Sequence, residues 1–495
     1  ALEQGRGGLV LVPEIALTPQ TVRRFYQIFG DLIAVLHSRL SARERYEAWQ
    51  SLKSGEKRIA IGPRSAVFAP IHDLGLIVVD EEHDSSYKQF DPSPRYHARD
   101  VAIMRASMSD AVAVLGSATP GMVSIEAVRQ GKHEMLQLPQ RPSGTMPEVR
   151  ILNLLEYKSA MRGPLTVELY EEIERALKRE EQIILLFNRR GFASYLQCED
   201  CGHIPQSPEC SVSLTYHKKK NILLCHYSGY SRRADTHCEL CGSPNLKAKG
   251  SGTQQVEEEV QELFPGARLL RMDRDTTTGK FGHQKIYEKF SNGESDILIG
   301  TQLVAKGLNF PNVTVVGVIN ADTELAFPSF RSSERMYQLL SQVAGRAGRA
   351  EKPGVVYVQT WKPDHPAIQC ARTHDFRAFA KYELANRKML QFPPFSRMIV
   401  FQFKSPSWSK VQMVADKFCD AMRLEVGDDP VLGPSPSTIE WMHGQFQWEA
   451  HIKLKTTFNA AVIERLLNNI FRRYETIKPK GGSSVRINVD VDAVE

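Results

Sequence analysis

The stretch LGLIVVDEEHD, Leu74 to Asp84, runs four apolar residues straight into Asp80, Glu81, Glu82 and His83. A buried strand with carboxylates at its tip can hold a magnesium ion beside a nucleotide, because a hard divalent cation takes oxygen ligands. Far along the chain, QVAGRAGRA (342–350) sets Arg346 and Arg349 three residues apart among small neighbours. Arginines at that spacing share a helix face, and small residues let a second backbone come close. Such a pair could reach phosphoryl oxygens across an interface and stabilise charge in a transition state; a solvated basic helix face is the plainer reading.

Two further constellations stand out. Cys198-x2-Cys201 and Cys238-x2-Cys241 have the spacing of zinc knuckles, and four thiolates close a tetrahedral structural site. Six of the eight cysteines fall within 198–241, which points to metal rather than disulfides and hence to a reducing cytosol. In DSSYKQFDPSPRYHARD (84–100), Tyr87, Phe90 and Tyr96 interleave with Lys88, Arg95 and Arg99. Base stacking plus phosphate neutralisation needs that mixture, although an ordinary surface loop can share it.

The elements that must position these residues follow from periodicity. Over 1–135, apolar runs (Leu9–Val12, Ile33–Leu36, Ile59–Ile61, Leu76–Val79, Val112–Leu115) alternate with amphipathic stretches. That pattern predicts a parallel sheet covered on both faces, with ligands at the carboxyl ends of its strands. Residues 136–164, with PQRPSG and MPEVR, read as an irregular linker. A second alternating block, 165–196 and 249–362, is interrupted by the cysteine-bearing insert at 197–248. KRIAIG…VDEE (57–82) and SDILIG…INAD (295–322) share a strand, a glycine, a polar turn, a proline, a second apolar strand and an acid. The echo predicts a duplicated domain. After a helical connection, 363–392, residues 393–495 follow a β-α-β-β-α-β pattern, the split ferredoxin-like arrangement.

At 495 residues, 42% apolar and 24% charged, the composition is that of an ordinary multidomain protein, and no apolar run approaches the ~20 residues of a membrane helix. A net charge of +6 permits a nucleic-acid partner without requiring one.

VPEIALTPQ, DEEHDSSYKQF, GSATP, FNRRGF, GTQLVAKG and QVAGRAGRA occur in the order used by superfamily 2 DNA helicases. With the cysteine insert and LGPSP…W near the end, the whole chain resembles the primosomal (PriA) family of replication-restart helicases. The resemblance implies an α/β fold of tandem RecA-like lobes with a zinc insert and a C-terminal α+β domain. It implies a 3′-5′ helicase driven by ATP and magnesium. Its DNA would be forked and single-stranded, and its partners replication-restart proteins and single-strand-binding protein. Asp80 would hold magnesium, and Glu81 would activate water. Gln342, Arg346 and Arg349 would reach the nucleotide. Gly116, Ser117, Ala118 and Thr119 would couple nucleotide state to the lobe interface. Pro13, Glu14, Tyr87, Lys88, Arg95, Tyr96, Gly300, Thr301, Gln302, Lys306 and Trp448 would contact DNA.

The sequence also departs from that family. An inner four-cysteine site is expected, but only Cys210 and Cys225 are present, with Ser207 and Ser228 in the other positions. A serine hydroxyl stays protonated near neutral pH, so the inner site should be weak or empty unless His203, His217 or His226 rescues it. FDPSP replaces the usual glycine-tryptophan pair, Asn320 stands where an aspartate is usual, and Gln447 where an arginine is usual. No G-x-x-x-x-G-K-[ST] phosphate loop occurs; DTTTGKF (275–281) comes nearest and reads as a turn. The family places that loop one helix before LVLVPEIALTPQ, so the chain is expected to start just after it and to hydrolyse little ATP alone. A zinc-bearing DNA-binding or scaffold protein derived from this family is the competing reading. A hydrolase using only the DEEH acids is a third, which the paired arginines and the duplicated lobes argue against.

Overall fold

The computed structural model describes residues 1–493 apart from 15, 16, 18, 39, 139–145, 158, 159, 188–194, 209–211, 218, 219, 250–252, 273–281, 302, 303, 305–309 and 347–353. The first apolar runs become β1 (7–11), β2 (33–35), β3 (59–62), β4 (74–79) and β5 (112–115) of one parallel sheet, ordered β2-β3-β1-β4-β5. Its pairing lines up the carboxyl ends. Asp80 N–H donates to Leu11 C=O at 2.9 Å, and Gly116 N–H donates to Val79 C=O at 2.8 Å. The tips after β1, β4 and β5 therefore lie side by side, where ligands of such sheets gather.

Residues 148–153 form β6, which pairs in parallel with a strand of the second sheet over six residues. This corrects the expectation of an irregular linker across 136–164. Val149 and Leu152 of β6 are buried, and Ile151 packs against the second core, so a short alternating run preceded by proline was enough to make an edge strand. A hairpin, β7 (161–162) with β8 (165–166), leads to β9 (182–186). The insert then contributes β10 (195–198), β11 (215–217), β12 (222–224), β13 (231–233) and β14 (246–249). β10 and β14 pair with each other and close its base.

β15 (269–272), β16 (297–300), β17 (313–318) and β18 (355–360) complete the second sheet, ordered β15-β16-β9-β17-β18-β6. Taken in chain order, β9, β15, β16, β17 and β18 repeat the placement of β1 to β5, which is the topology a duplication requires. The two glycines that drew attention to the repeat have the same physical reason. A Cβ on Gly62 would sit 2.6 Å from Leu36 O and 2.8 Å from Ala66 Cβ, four residues on. One on Gly300 would sit 2.9 Å from Met272 O and collide with Val304, again four residues on.

The last unit has β19 (396–405), β20 (431–442), β21 (445–455) and β22 (486–491) in one antiparallel sheet, ordered β20-β21-β19-β22. Helices Trp408–Val426 and Ala460–Ile477 pack on it around Phe401, Phe403, Phe418 and Ile470. This is the order expected of a split ferredoxin-like pattern. Among the described residues no helix is long and apolar enough to cross a membrane.

Candidate active site

β4 delivers the acids because its apolar residues are committed to the sheet, leaving the polar tail at the tip. Asp80 Oδ1 accepts from Glu81 N–H at 3.1 Å, and Glu81 adopts a left-handed φ of 48°. Asp80 is exposed and Glu81 half-buried. The surrounding protein withdraws enough water to hold the Asp80 carboxyl above its usual range, against opposing pulls from the Glu81 N–H and His83. Burial likewise raises Glu81; His83 and Arg346 oppose it, while Asp80 adds to it. Two adjacent carboxylates with spare lone pairs and raised proton affinity suit both a divalent cation and a proton acceptor.

Glu82 does something else. It is 1% exposed and accepts from Gly121 N–H at 2.6 Å, Ser124 Oγ at 2.9 Å and Arg99 Nη1 at 3.2 Å. It fastens the tip both to the segment after β5, through Gly121 and Ser124, and to helix Ala98–Met108, through Arg99. His83 faces the other way. Its Nε2 lies 3.1 Å from Gln342 Nε2, and its Nδ1 lies 2.7 Å from Ser117 Oγ. An amide nitrogen only donates, so His83 Nε2 is the acceptor and Nδ1–H donates to Ser117. Ser117 Oγ in turn accepts from Thr119 N–H at 3.0 Å. A continuous path thus runs from the segment 116–119, through the acid tip, to helix Ser332–Ala344 of the second lobe. That helix brings Arg346 close enough for its charge to be felt at Glu81. Arg349, Gln302, Lys306 and Cys210 lie outside the described residues.

Pro13 and Glu14 lie just beyond β1, and Glu14 Oε1 accepts from Ser38 Oγ at 2.5 Å. Gly300 is buried at the end of β16, and Thr301 is half-buried just beyond it. Arg95 and Tyr96 are half-buried; Tyr96 packs edge-on against Phe68 at 4.9 Å. Three residues expected to face DNA do not present themselves to it. Tyr87 is 0% exposed, and its hydroxyl donates to Asp80 C=O at 2.7 Å. Lys88 is 2% exposed, and its Nζ donates to Asp490 Oδ1 of β22 at 2.6 Å. Trp448 is 6% exposed within the C-terminal core. Lys88 found its partner in a distant segment and Trp448 its place in a domain core, which local composition could not reveal, whereas Tyr87 turned back on a carbonyl only seven residues away. Sequence reasoning also missed Glu334, buried on helix Ser332–Ala344. It accepts from Met122 N–H at 2.9 Å and from Arg387 Nη2 at 2.8 Å, tying both lobes to helix Phe376–Met389. The only sequence signal was the Glu383–Arg387 pair four residues apart, which is commonplace on exposed helices.

The cysteine quartet assembles as its spacing predicts. Sγ atoms of Cys198 and Cys241 are 3.7 Å apart, those of Cys201 and Cys238 3.5 Å, and all four lie within 4.8 Å of one another. A tetrahedral zinc with ~2.3 Å bonds to sulfur needs sulfurs roughly 3.8 Å apart, so the donor set fits. Gly202 and Gly242, with φ of 72° and 73°, let each knuckle turn back on its first cysteine. The inner positions keep this backbone without the ligands. Cys225 N–H donates to Tyr230 C=O and Gly229 N–H to Cys225 C=O, as in the outer knuckles, yet Ser228 stands where the second thiolate belongs. Among the described residues no other cluster of metal ligands forms. His203 pairs with Glu239, His217 with Glu440, and His226 with the Pro436 carbonyl.

Family models match in the order of these units. A DEAD/DEAH box helicase model covers residues 1–128, and a helicase conserved C-terminal domain model covers 250–351. A PriA DNA helicase Cys-rich region model covers 208–233, and a primosomal protein N C-terminal domain model covers 388–494. Replication restart protein PriA of Treponema pallidum (strain Nichols) is 38% identical over 497 residues, with 100% of this chain and 73% of that protein covered. The chain belongs to the PriA replication restart protein family. The PriA of Bacillus subtilis (strain 168) is 43% identical over 478 residues, covering 96% of this chain and 59% of that protein. The PriA of Synechocystis sp. is 38% identical over 504 residues, covering 99% and 59%. The chain therefore spans about three-fifths of the length of these last two PriA proteins.

Proposed function

We propose that this chain is the coupling and DNA-engaging part of an ATP-driven helicase of replication restart. The observation that carries the reading is the bridge from Gln342 to His83, which joins the arginine-bearing helix to the acid tip. In this reading Asp80 would hold magnesium and Glu81 would accept a proton from the attacking water. Gln342, Arg346 and Arg349 steady charge on the phosphates, and the path from His83 through Ser117 reports nucleotide state to the segment 116–119. Pro13, Glu14, Gly300, Thr301, Gln302 and Lys306 engage the DNA backbone. Bound nucleotide would supply the γ-phosphoryl group that passes to water as ADP leaves, and magnesium would offset the phosphate charge; binding, orientation and proton handling would fall on these side chains.

The 495 residues contain no phosphate loop. β5 is the edge of its sheet, and Val112 and Val114 leave one face of it uncovered, whereas its counterpart β18 pairs with β6. A further parallel strand carrying the loop would fit that edge. The chain alone should therefore hydrolyse ATP negligibly, and a scaffold that binds DNA without turnover is the second reading this favours. The test is ATP hydrolysis with and without single-stranded DNA, in the chain as it stands and with a relative's preceding segment joined to Ala1. Turnover should appear only in the extended protein and vanish on Glu81→Gln. Turnover in the chain alone that Glu81→Gln abolishes would show that the loop is dispensable. No turnover in either would sink the motor reading.

A further inference from the structure

Helix Ser332–Ala344, the acid tip and the start of the C-terminal domain enclose a cavity of about 380 Å³. It meets the candidate active site at His83 and Gln342, and neither Asp80 nor Glu81 lines it. Its wall carries arginines from three bodies: Arg99 from the first lobe, Arg331 and Arg335 from the second, and Arg397 from the C-terminal domain. Most of the charge around it is already matched. Arg99 pairs with Glu82 and Asp100, and Arg397 with Asp492. Glu334 is held by Met122 N–H and Arg387, and Asp84 caps Ser86 N–H.

Arg331 stands apart. Its guanidinium makes no hydrogen bond or ion pair with any described residue, and its Nε is closed to solvent without a partner. Burial, with repulsion from Arg387, Arg335 and Arg99, lowers it to about 10 despite the attraction of Glu334, so it stays charged at neutral pH. A closely walled cation whose nearest carboxylate, Glu334, is already bonded to Arg387 and the Met122 N–H is under-compensated. The adjoining space is large enough for the anion that would match it.

We propose that this cavity holds a backbone phosphate of single-stranded nucleic acid on Arg331, with Arg335 and Arg397 flanking it. The inference rests on the DNA-motor reading above and adds a site to it. A strand held here would touch both lobes and the C-terminal domain at once, one side chain away from the His83–Gln342 bridge.

The test compares the wild-type chain with Arg331→Met and Arg331→Lys, using a fluorescein-labelled oligothymidylate across a salt series. Melting temperature is followed with and without pyrophosphate or unlabelled oligothymidylate. Arg331→Met should weaken strand binding about tenfold and flatten the salt slope by about 0.7, the share of one single-strand phosphate contact. Without ligand, circular dichroism should show it folded at the assay temperature, and Arg331→Lys should recover part of the affinity. Equal strand affinity and salt slope in wild type and Arg331→Met would overturn the chamber while leaving DNA binding intact. No strand binding by wild type would instead overturn the reading beneath it. Stabilisation of wild type by pyrophosphate alone, lost in Arg331→Met, would make this a small-anion site and overturn the assignment to a strand.

Discussion

The two sheets end their matching strands in opposite ways. In the first lobe, β4 runs into Asp80, whose N–H donates to Leu11 C=O; in the second, β17 runs into Ile319, whose N–H donates to Leu186 C=O. Ile319 is therefore the counterpart of Asp80, and it is buried. The second lobe's acid comes three residues later. Asp322 is 0% exposed, accepting from Trp361 N–H at 2.8 Å and Thr360 Oγ1 at 3.1 Å. The first tip leaves Asp80 and Glu81 open while Glu82 is saturated, and the second closes its one carboxylate around the chain. A polar cluster that the protein itself saturates serves structure, while one left with spare capacity is available for chemistry. The zinc quartet, like Asp322, belongs to the closed kind.

This division can be broken at several points. The largest effect is expected at the metal. Cys238→Ser should take zinc from about one per chain to none and melt the insert, while Cys225→Ser leaves zinc unchanged, as read by elemental analysis. Next comes Asp322→Ala, which leaves the part-buried Trp361 N–H and the buried Thr360 hydroxyl without their acceptor and should cost roughly 1–3 kcal/mol in thermal or denaturant unfolding. Acid should act through Glu334. Burial raises its proton affinity, but Arg387, Arg331 and the Met122 N–H outweigh that and hold it at about 2, below the usual 4.5. A depressed carboxyl stabilises the fold above its unfolded pKa and loses that contribution as pH falls from about 4.5 towards 2. Glu334→Gln should flatten the acid limb of a melting-temperature profile over that window. The smallest effect on stability is expected for Gln342→Ala, within about 1 kcal/mol, because the side chain it leaves is part-buried and His83 keeps Ser117.

What could be read in the sequence was what depends on near neighbours. The cysteine spacing, the apolar run into Asp80 and the repeated glycines at 62 and 300 each report a local constraint, and each reappears in three dimensions. The burial of Lys88 depends on Asp490, 402 residues away, so its charge read as a solvent-facing DNA contact. Tyr87 turned inward to the carbonyl of Asp80, only seven residues back, a local contact that its aromatic type alone did not announce. β6 escaped notice because its partner, β18, lies some two hundred residues on. Arg331 looked like any basic residue at a helix start until the surrounding charges proved to be paired with one another.

The central claim is that the open tip performs chemistry and the closed tip does not. It is tested most directly by DNA-stimulated ATP hydrolysis in the extended protein, comparing Asp80→Asn with Asp322→Asn at a temperature where circular dichroism shows both folded. Asp80→Asn should lose at least about a hundredfold in turnover with an unchanged melting temperature, and Asp322→Asn should melt earlier yet keep its turnover. Turnover that survives Asp80→Asn but disappears in folded Asp322→Asn would contradict the account.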